Sequence, residues 1–421
     1  MFRLSTVVVS TLALSCHAFV TPTSSSRVVV ETTSRLWAST PEQGNKRPLV
    51  LLTFDLDDTL YPIASVINEA NDAFVKAMKQ YGFGADIQPT DIDDTTKQVR
   101  SELPPEEAAA LSHTEARELA IRRRMEKVLL NRKLQETAED WVTSVEDLSP
   151  VVVENAKQWT ARAVSPSIVK AVMTAWEMER HHAAERNLYP EVQQVLREIK
   201  QEYPHVILGA VTDGKANPLL MTFTLAPYFD FCMSWEDDQK GRQQFFKELA
   251  SSSSSAQLSW IYNAALEKGQ EMATVQAAMK AAAAKNDNHD STEEFAKGVW
   301  IHVGDDLAYD VGGSAACGAK TILCELANEY QQTARQRFDQ LEQVNNNDDG
   351  DRKMPTWSTS PTPELEVRRK MNEAAKPLVD ETINFIRELP DAISRILARV
   401  QDEEGTLAAS GKSSSTTAKE Q

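Results

Sequence analysis

Three carboxylates fall within four positions of "LLTFDLDDTLYP": Asp55, Asp57 and Asp58 follow the apolar run Leu51–Phe54. Two unit charges about 4 Å apart repel by roughly 4 kcal/mol at an effective dielectric near 20. Acids crowded at the end of a buried strand therefore need a cation or open water. Two later segments carry related groups: "AVTDGKANP" offers Thr212, Asp213 and Gly214, and "IHVGDDLAYDVGG" offers Asp305, Asp306 and Asp310. Oxygen donors converging from separate strand ends would form a site for a hard divalent cation, most naturally Mg²⁺. Such an ion offsets the repulsion and can hold a phosphate.

Each segment alone has a plainer explanation. "DLDDT" read as a calcium loop fails, because its sixth position is Leu60 rather than Gly and its twelfth is Val66 rather than Glu. "GDDLAYD" alone is a strand-to-helix turn with Asp306 or Asp310 near the helix start. "VTDG" alone is a turn. Their order, each at the end of a strand of one class, is what makes them a constellation.

The elements that must position these residues are legible. Five short apolar segments without polar alternation read as strands: Leu49–Phe54, Val206–Val211, Phe229–Met233, Val299–Val303 and Thr321–Cys324. Set among helical stretches, they predict an α/β fold with a parallel sheet buried on both faces, where ligands bind outside the strands' carboxyl ends. In "VINEANDAFVKAMKQYGF", Ile67, Ala70, Phe74, Ala77 and Tyr81 follow helix spacing, with Gly82 as the stop. Amphipathic segments continue from Glu106 to about Leu134, Asp140 to Ala163 and Ile168 to Ala184. The block 64–187 is too long for a crossover and is expected to be an inserted helical domain, between core pieces at 46–63 and 188–330.

Low-complexity insertions are expected at about 248–258 and 280–295, and disorder over most of 331–375. A core helix is expected over 376–402, then a frayed tail from 403 to 421. The adjacent His181 and His182 point about 100° apart on a helix, so they are expected as solvated surface rather than a metal site. Trp176, Trp235, Trp260 and Trp300 read as packing residues before stacking platforms.

The 421 residues are 25% charged and 41% hydrophobic, the balance of a soluble globular chain, and the net charge of −17 argues against nucleic acid or an anionic membrane as partner. The four cysteines contain no CxxC pair, so neither a disulfide framework nor a zinc site is indicated. Residues 1–45 read as targeting sequence: Arg3, an apolar stretch from Val7 to Leu14 and the small-residue end at Ala18 form a signal peptide. The following hydroxyl- and Arg-rich stretch is of the transit type. The junction "HAFVTP" resembles the bipartite presequences of algae with complex plastids, which implies a plastid address; plain secretion is the alternative.

"FDLDDTLYP", "VILGAVTDG" and "VWIHVGDDLAYDVGG" resemble the first, second and fourth motifs of the haloacid dehalogenase (HAD) superfamily, from Leu49 to about Leu326. That resemblance implies a Rossmann-like sheet with a helical cap inserted after the first strand. It implies Asp55 as nucleophile, Asp57 as general acid and base, and Thr212 as a donor to the phosphoryl group beside Asp213 and Gly214. It also implies a Mg²⁺ site formed by Asp55, the Asp57 backbone carbonyl and Asp305, with Asp306 a candidate second ligand and Asp310 orienting the shell. The third motif is a lysine, and the position where it should stand holds Ala256; Lys247, or else Lys240, is the candidate replacement. The likeness is nearest to members that dephosphorylate ribitylaminouracil phosphate in riboflavin synthesis and flavin mononucleotide. Hydrolysis of a small phosphate monoester is therefore the expected activity. A pyrimidine nucleotide 5′-phosphatase is one alternative, and a weakly active binding protein of this fold, motivated by the displaced lysine, is the other.

Overall fold

A computed structural model describes residues 47–104, 107–108, 111–142, 144–237, 260–284, 295–326, 330, 332 and 365–414, without the side chains of 260, 280–284, 365–369 and 404–414. Its first part runs β1 (Leu49–Phe54), α1 (Ile63–Gln80), α2 (Pro89–Glu102), α3 (His113–Trp141), α4 (Pro150–Ala163), α5 (Pro166–Arg186), α6 (Val192–Glu202), β2 (Ile207–Thr212) and β3 (Phe231–Ser234). There follow α7 (Trp260–Ala284), β4 (Val299–Gly304), β5 (Lys320–Cys324), α8 (Leu365–Ala375), β6 (Glu381–Ile383) and α9 (Leu389–Ser414).

The described strands form one parallel sheet of order β3-β2-β1-β4-β5-β6. Strand order reverses at β1, so the edge above β1 and β4 is a topological switch point, where open α/β sheets place their ligands. Both faces are covered. Phe54, Leu208 and Val303 pack with Val195 and Ile199 of α6 and Ile393 and Ile396 of α9. On the other face Leu51, Ile207 and Trp300 meet Ile261, Tyr262 and Ala265 of α7. Leu51, Leu52 and Phe54 are fully buried, and each such side chain contributes about 1.5–3 kcal/mol. The apolar runs thus reflect two-sided burial, and the α/β expectation holds.

The helices between β1 and β2 build a core of their own, in which Ile67 and Phe74 of α1 meet Ile121 and Met125 of α3 and Val172 and Trp176 of α5. Gly82 ends α1 with φ of +82°, the left-handed conformation that a helix stop needs. Where helices begin, local chemistry overrides the apolar spacing. α3 starts at His113 rather than near 106 because Ser112 and Glu115 close a reciprocal cap, Glu115 N–H donating to Ser112 Oγ (3.1 Å) and Ser112 N–H to Glu115 Oε2 (2.9 Å). α4 starts at Pro150 after Ser149 rather than at 140.

Other elements depart from expectation. α2 is additional; only Ile92 and Val99 of its apolar residues are buried, beside Asp93 and Thr96. α7 runs through Ala284 into the stretch read as an insertion, and α8 lies within the stretch read as disordered. The segment 376–388, expected as helix, holds strand β6, while α9 starts at Leu389 and continues to Ser414, past the boundary drawn at 402. Residues 1–45 and 248–258 lie outside the described residues.

Candidate active site

The three acids of the first loop go to three different partners. Asp55 leaves β1 still in register, its N–H donating to Val303 O at 2.9 Å. Its carboxylate joins those of Asp305 and Asp310, with one oxygen from each lying within 4.8 Å of the others. Asp57 turns its Oδ2 to Nη2 of Arg180, on α5, at 2.5 Å. Asp58 takes φ of +61° and aims Oδ1 back at the N–H of Ile63, 3.0 Å away at the start of α1. That is a carboxylate at a helix N-terminus, a favourable placement for negative charge.

The Asp55–Asp305–Asp310 group stands at the switch point, where the ends of neighbouring β1 and β4 meet. Burial pushes the Asp55 carboxyl well above its ordinary range, and the nearby charges of Asp310, Asp305, Asp57 and Asp213 push the same way. A set of carboxylate oxygens this close, from two buried residues and one half-buried, fits a hard divalent cation. Among the described residues these three are the group within ligand reach of one another. Asp306, expected as a second ligand, is not in that group. It caps the π-helical turn Leu307–Gly313, its Oδ1 accepting from Tyr309 N–H at 2.8 Å.

Asp310 is held rigidly. Its Oδ2 accepts from Asp306 N–H (2.9 Å), and its Oδ1 from the Tyr262 hydroxyl (3.0 Å). Nε2 of His302 lies 3.4 Å from the same Oδ1. Behind His302 the Thr53 hydroxyl accepts from Trp300 Nε1 (2.9 Å) and meets His302 Nδ1 at 2.8 Å. Gly304 makes room for this arrangement, since a Cβ there would stand 2.2 Å from Asp310 Cγ.

Thr212 ends β2, beside β1, and its Oγ1 accepts from Gly214 N–H at 3.2 Å, which leaves the hydroxyl hydrogen for another acceptor. Asp213 is exposed at the same turn. Lys247 and Lys240, the candidates for a cation on the core, lie outside the described residues. The structure supplies a cation that the sequence reading did not name, Arg180. Missed too were Tyr262, His302 and Glu236, the last with its Oε1 and Oε2 accepting from His113 N–H (2.8 Å) and Thr114 N–H (3.2 Å) at the start of α3. His181 is buried rather than solvated: Nδ1 donates to Glu177 O (2.7 Å) and Nε2 accepts from Asn217 N–H (3.2 Å). His182 is exposed, as expected. Trp300 and Trp176 are buried packing residues.

No family model and no curated protein matches the chain. Similar solved structures include a 2-haloacid dehalogenase from Pseudomonas syringae pv. Tomato DC3000 at 18% identity, covering 82% of this chain and 99% of that one with a TM-score of 0.42. A HAD phosphatase from Thermococcus onnurineus is 13% identical, covering 82% and 97% with a TM-score of 0.28. A putative HAD hydrolase from Bacillus subtilis, bound to magnesium, is 12% identical, covering 70% and 100% with a TM-score of 0.24. Likenesses this distant decide nothing about activity. The strand order and the acid geometry stand on their own.

Proposed function

We propose that this chain is a HAD-superfamily hydrolase that cleaves a small phosphate monoester with Mg²⁺ as cofactor. The observation that carries this reading is the meeting of Asp55, Asp305 and Asp310 within 4.8 Å at the switch point of a parallel sheet. Asp57 and Thr212 stand on the flanking loop and strand. A bound Mg²⁺ would neutralise the acids and the phosphoryl oxygens.

Asp55 attacks phosphorus in line and carries the phosphoryl group as an acyl phosphate. Asp57 gives a proton to the departing alcohol and takes one from the water that hydrolyses the acyl phosphate. Thr212 donates its hydroxyl hydrogen to a phosphoryl oxygen, and Asp310, fixed by Asp306 N–H and Tyr262, keeps the oxygen cluster in place. A leaving-group acid at position 57 favours phosphoryl transfer over dehalogenation, in which halide departs without a proton. By the resemblance of its motifs, a riboflavin-pathway phosphate or flavin mononucleotide is the proposed substrate. Residues 1–45 are proposed as a plastid-directing presequence, to be tested by fusing them to a fluorescent reporter.

The deciding experiment incubates purified protein and Mg²⁺ with flavin, nucleotide and sugar phosphates and measures phosphate release. Release highest with the flavin-type substrates, and reduced at least 1000-fold in Asp55→Asn, is expected on the scale that loss of a nucleophile produces. No release from any substrate would overturn the reading.

A further inference from the structure

The buried pair between Arg180 and Asp57 is incomplete in a way that points to a third member. The two side chains are only 5% and 15% exposed. Nη2 of Arg180 meets Oδ2 of Asp57, but Arg180 Nε and Asp57 Oδ1, like the hydroxyl of neighbouring Tyr61, are buried with no hydrogen-bond partner among the described residues. Buried polar atoms are rarely left this way, and a charged group left half satisfied is costly. A guanidinium offers its donors as a planar fork, which matches two oxygens of a phosphoryl group better than one carboxylate oxygen.

The guanidinium also stands in the right place. A Cβ on Gly214 would lie 2.9 Å from Nη2, so Arg180 is packed directly on the turn that follows Thr212. On its other side is the loop of Asp57, two residues beyond Asp55. Its charged and titratable surroundings include Asp57, Tyr61, Asp213 and Glu236, with Arg117, Glu177 and His181 also near. The guanidinium thus stands between the turn after Thr212 and the loop of Asp57, and α5 brings it there from the inserted helices.

We infer that Arg180 binds the anionic group of the substrate directly, exchanging its contact with Asp57 for the phosphoryl oxygens. The inference rests on the phosphatase reading and adds to it a cation supplied by the helical insertion. Asp57 then acts as a place-holder in the free protein, and Gly214 is required because the guanidinium needs its space.

The test is calorimetric titration of the full chain, in saturating Mg²⁺, with inorganic phosphate as probe. Arg180→Gln is expected to weaken phosphate binding at least tenfold, with Arg180→Lys intermediate. Removing Arg180 also strands Asp57, so the Asp57→Asn background is the decisive arm. Arg180→Gln in Asp57→Asn, which deletes both charges of the pair, should still weaken binding at least tenfold relative to Asp57→Asn alone. Equal affinity of those two proteins would show that Arg180 acts only through Asp57 and would overturn the inference. Undetectable phosphate binding by the unmodified protein would overturn it too. Neither result depends on turnover, so the hydrolysis assay with Asp55→Asn is judged separately.

Discussion

Crowding of like charges is relieved at the residue level for two acids of "DLDDT": Asp57 meets the Arg180 guanidinium and Asp58 a helix N-terminus, while Asp55 stays among carboxylates. Asp58 shows the logic most cleanly, because its role involves no chemistry. It combines a left-handed backbone (φ +61°) with a hydrogen bond to the first turn of α1. Asn tolerates that backbone and keeps the acceptor. Asp58→Asn is therefore expected to unfold in urea close to the parent, while Asp58→Ala loses about 1–2 kcal/mol. Turnover per folded molecule should stay within a few-fold in both, unlike Asp55→Asn. The acids themselves were legible in the sequence, since a triplet of carboxylates after an apolar run demands an explanation. Their partners were not: Arg180 lies 123 positions from Asp57, and nothing in "EMERHHAAER" distinguishes a buried arginine from a solvated one.

Elements were legible where burial imposes a pattern and obscure where it does not. β1, β2 and β4 are buried on both faces, so their apolar runs could be read within a residue or two. β6 is a three-residue edge strand, "ETI", and its Glu381 is spent on Arg395 and Arg399 of α9 rather than on the core. Such a strand leaves no periodic trace. The union of the helical insertion with the sheet was only partly visible: Val66, Ala183 and Ala184 join the sheet's apolar core, but elsewhere it runs through single polar contacts. Glu236, just beyond β3, holds the first turn of α3 through two backbone N–H groups and is itself buried. Burial pushes its carboxyl up, but the charge at His113, and after it the hydrogen bonds from Thr114 and His113, hold it below the ordinary range. Glu236→Ala leaves two N–H groups at a helix start unsatisfied. It should cost about 1–3 kcal/mol by a buried-donor argument, and hydrogen exchange should quicken at the N-terminal turn of α3 before it quickens in β1. Unchanged exchange there would show that the insertion is held elsewhere.

For the molecule as a whole, the proposed metal site predicts a stability that depends on both metal and pH. A carboxyl whose folded pKa lies above its unfolded one binds more protons folded than unfolded. Asp55 is such a group, through burial first and then the charges of Asp310, Asp305, Asp57 and Asp213. Its contribution is fully present below the ordinary aspartate value of about 4 and is lost as pH rises from there through the raised value. Metal-free protein should therefore have a melting temperature that falls, relative to Asp55→Asn, as pH increases through that window. A cation bound to the ionised cluster reverses the loss, because it binds the folded form: at 100 times its dissociation constant it adds about 2.7 kcal/mol. Mg²⁺ should raise the melting temperature of the parent most at the high-pH end and lose most of that effect in Asp305→Asn, which keeps the fold but surrenders a charged ligand. Equal melting temperatures with Mg²⁺ and with chelator at neutral pH would mean that the three carboxylates hold no ion, and the proposed chemistry would lose its foundation.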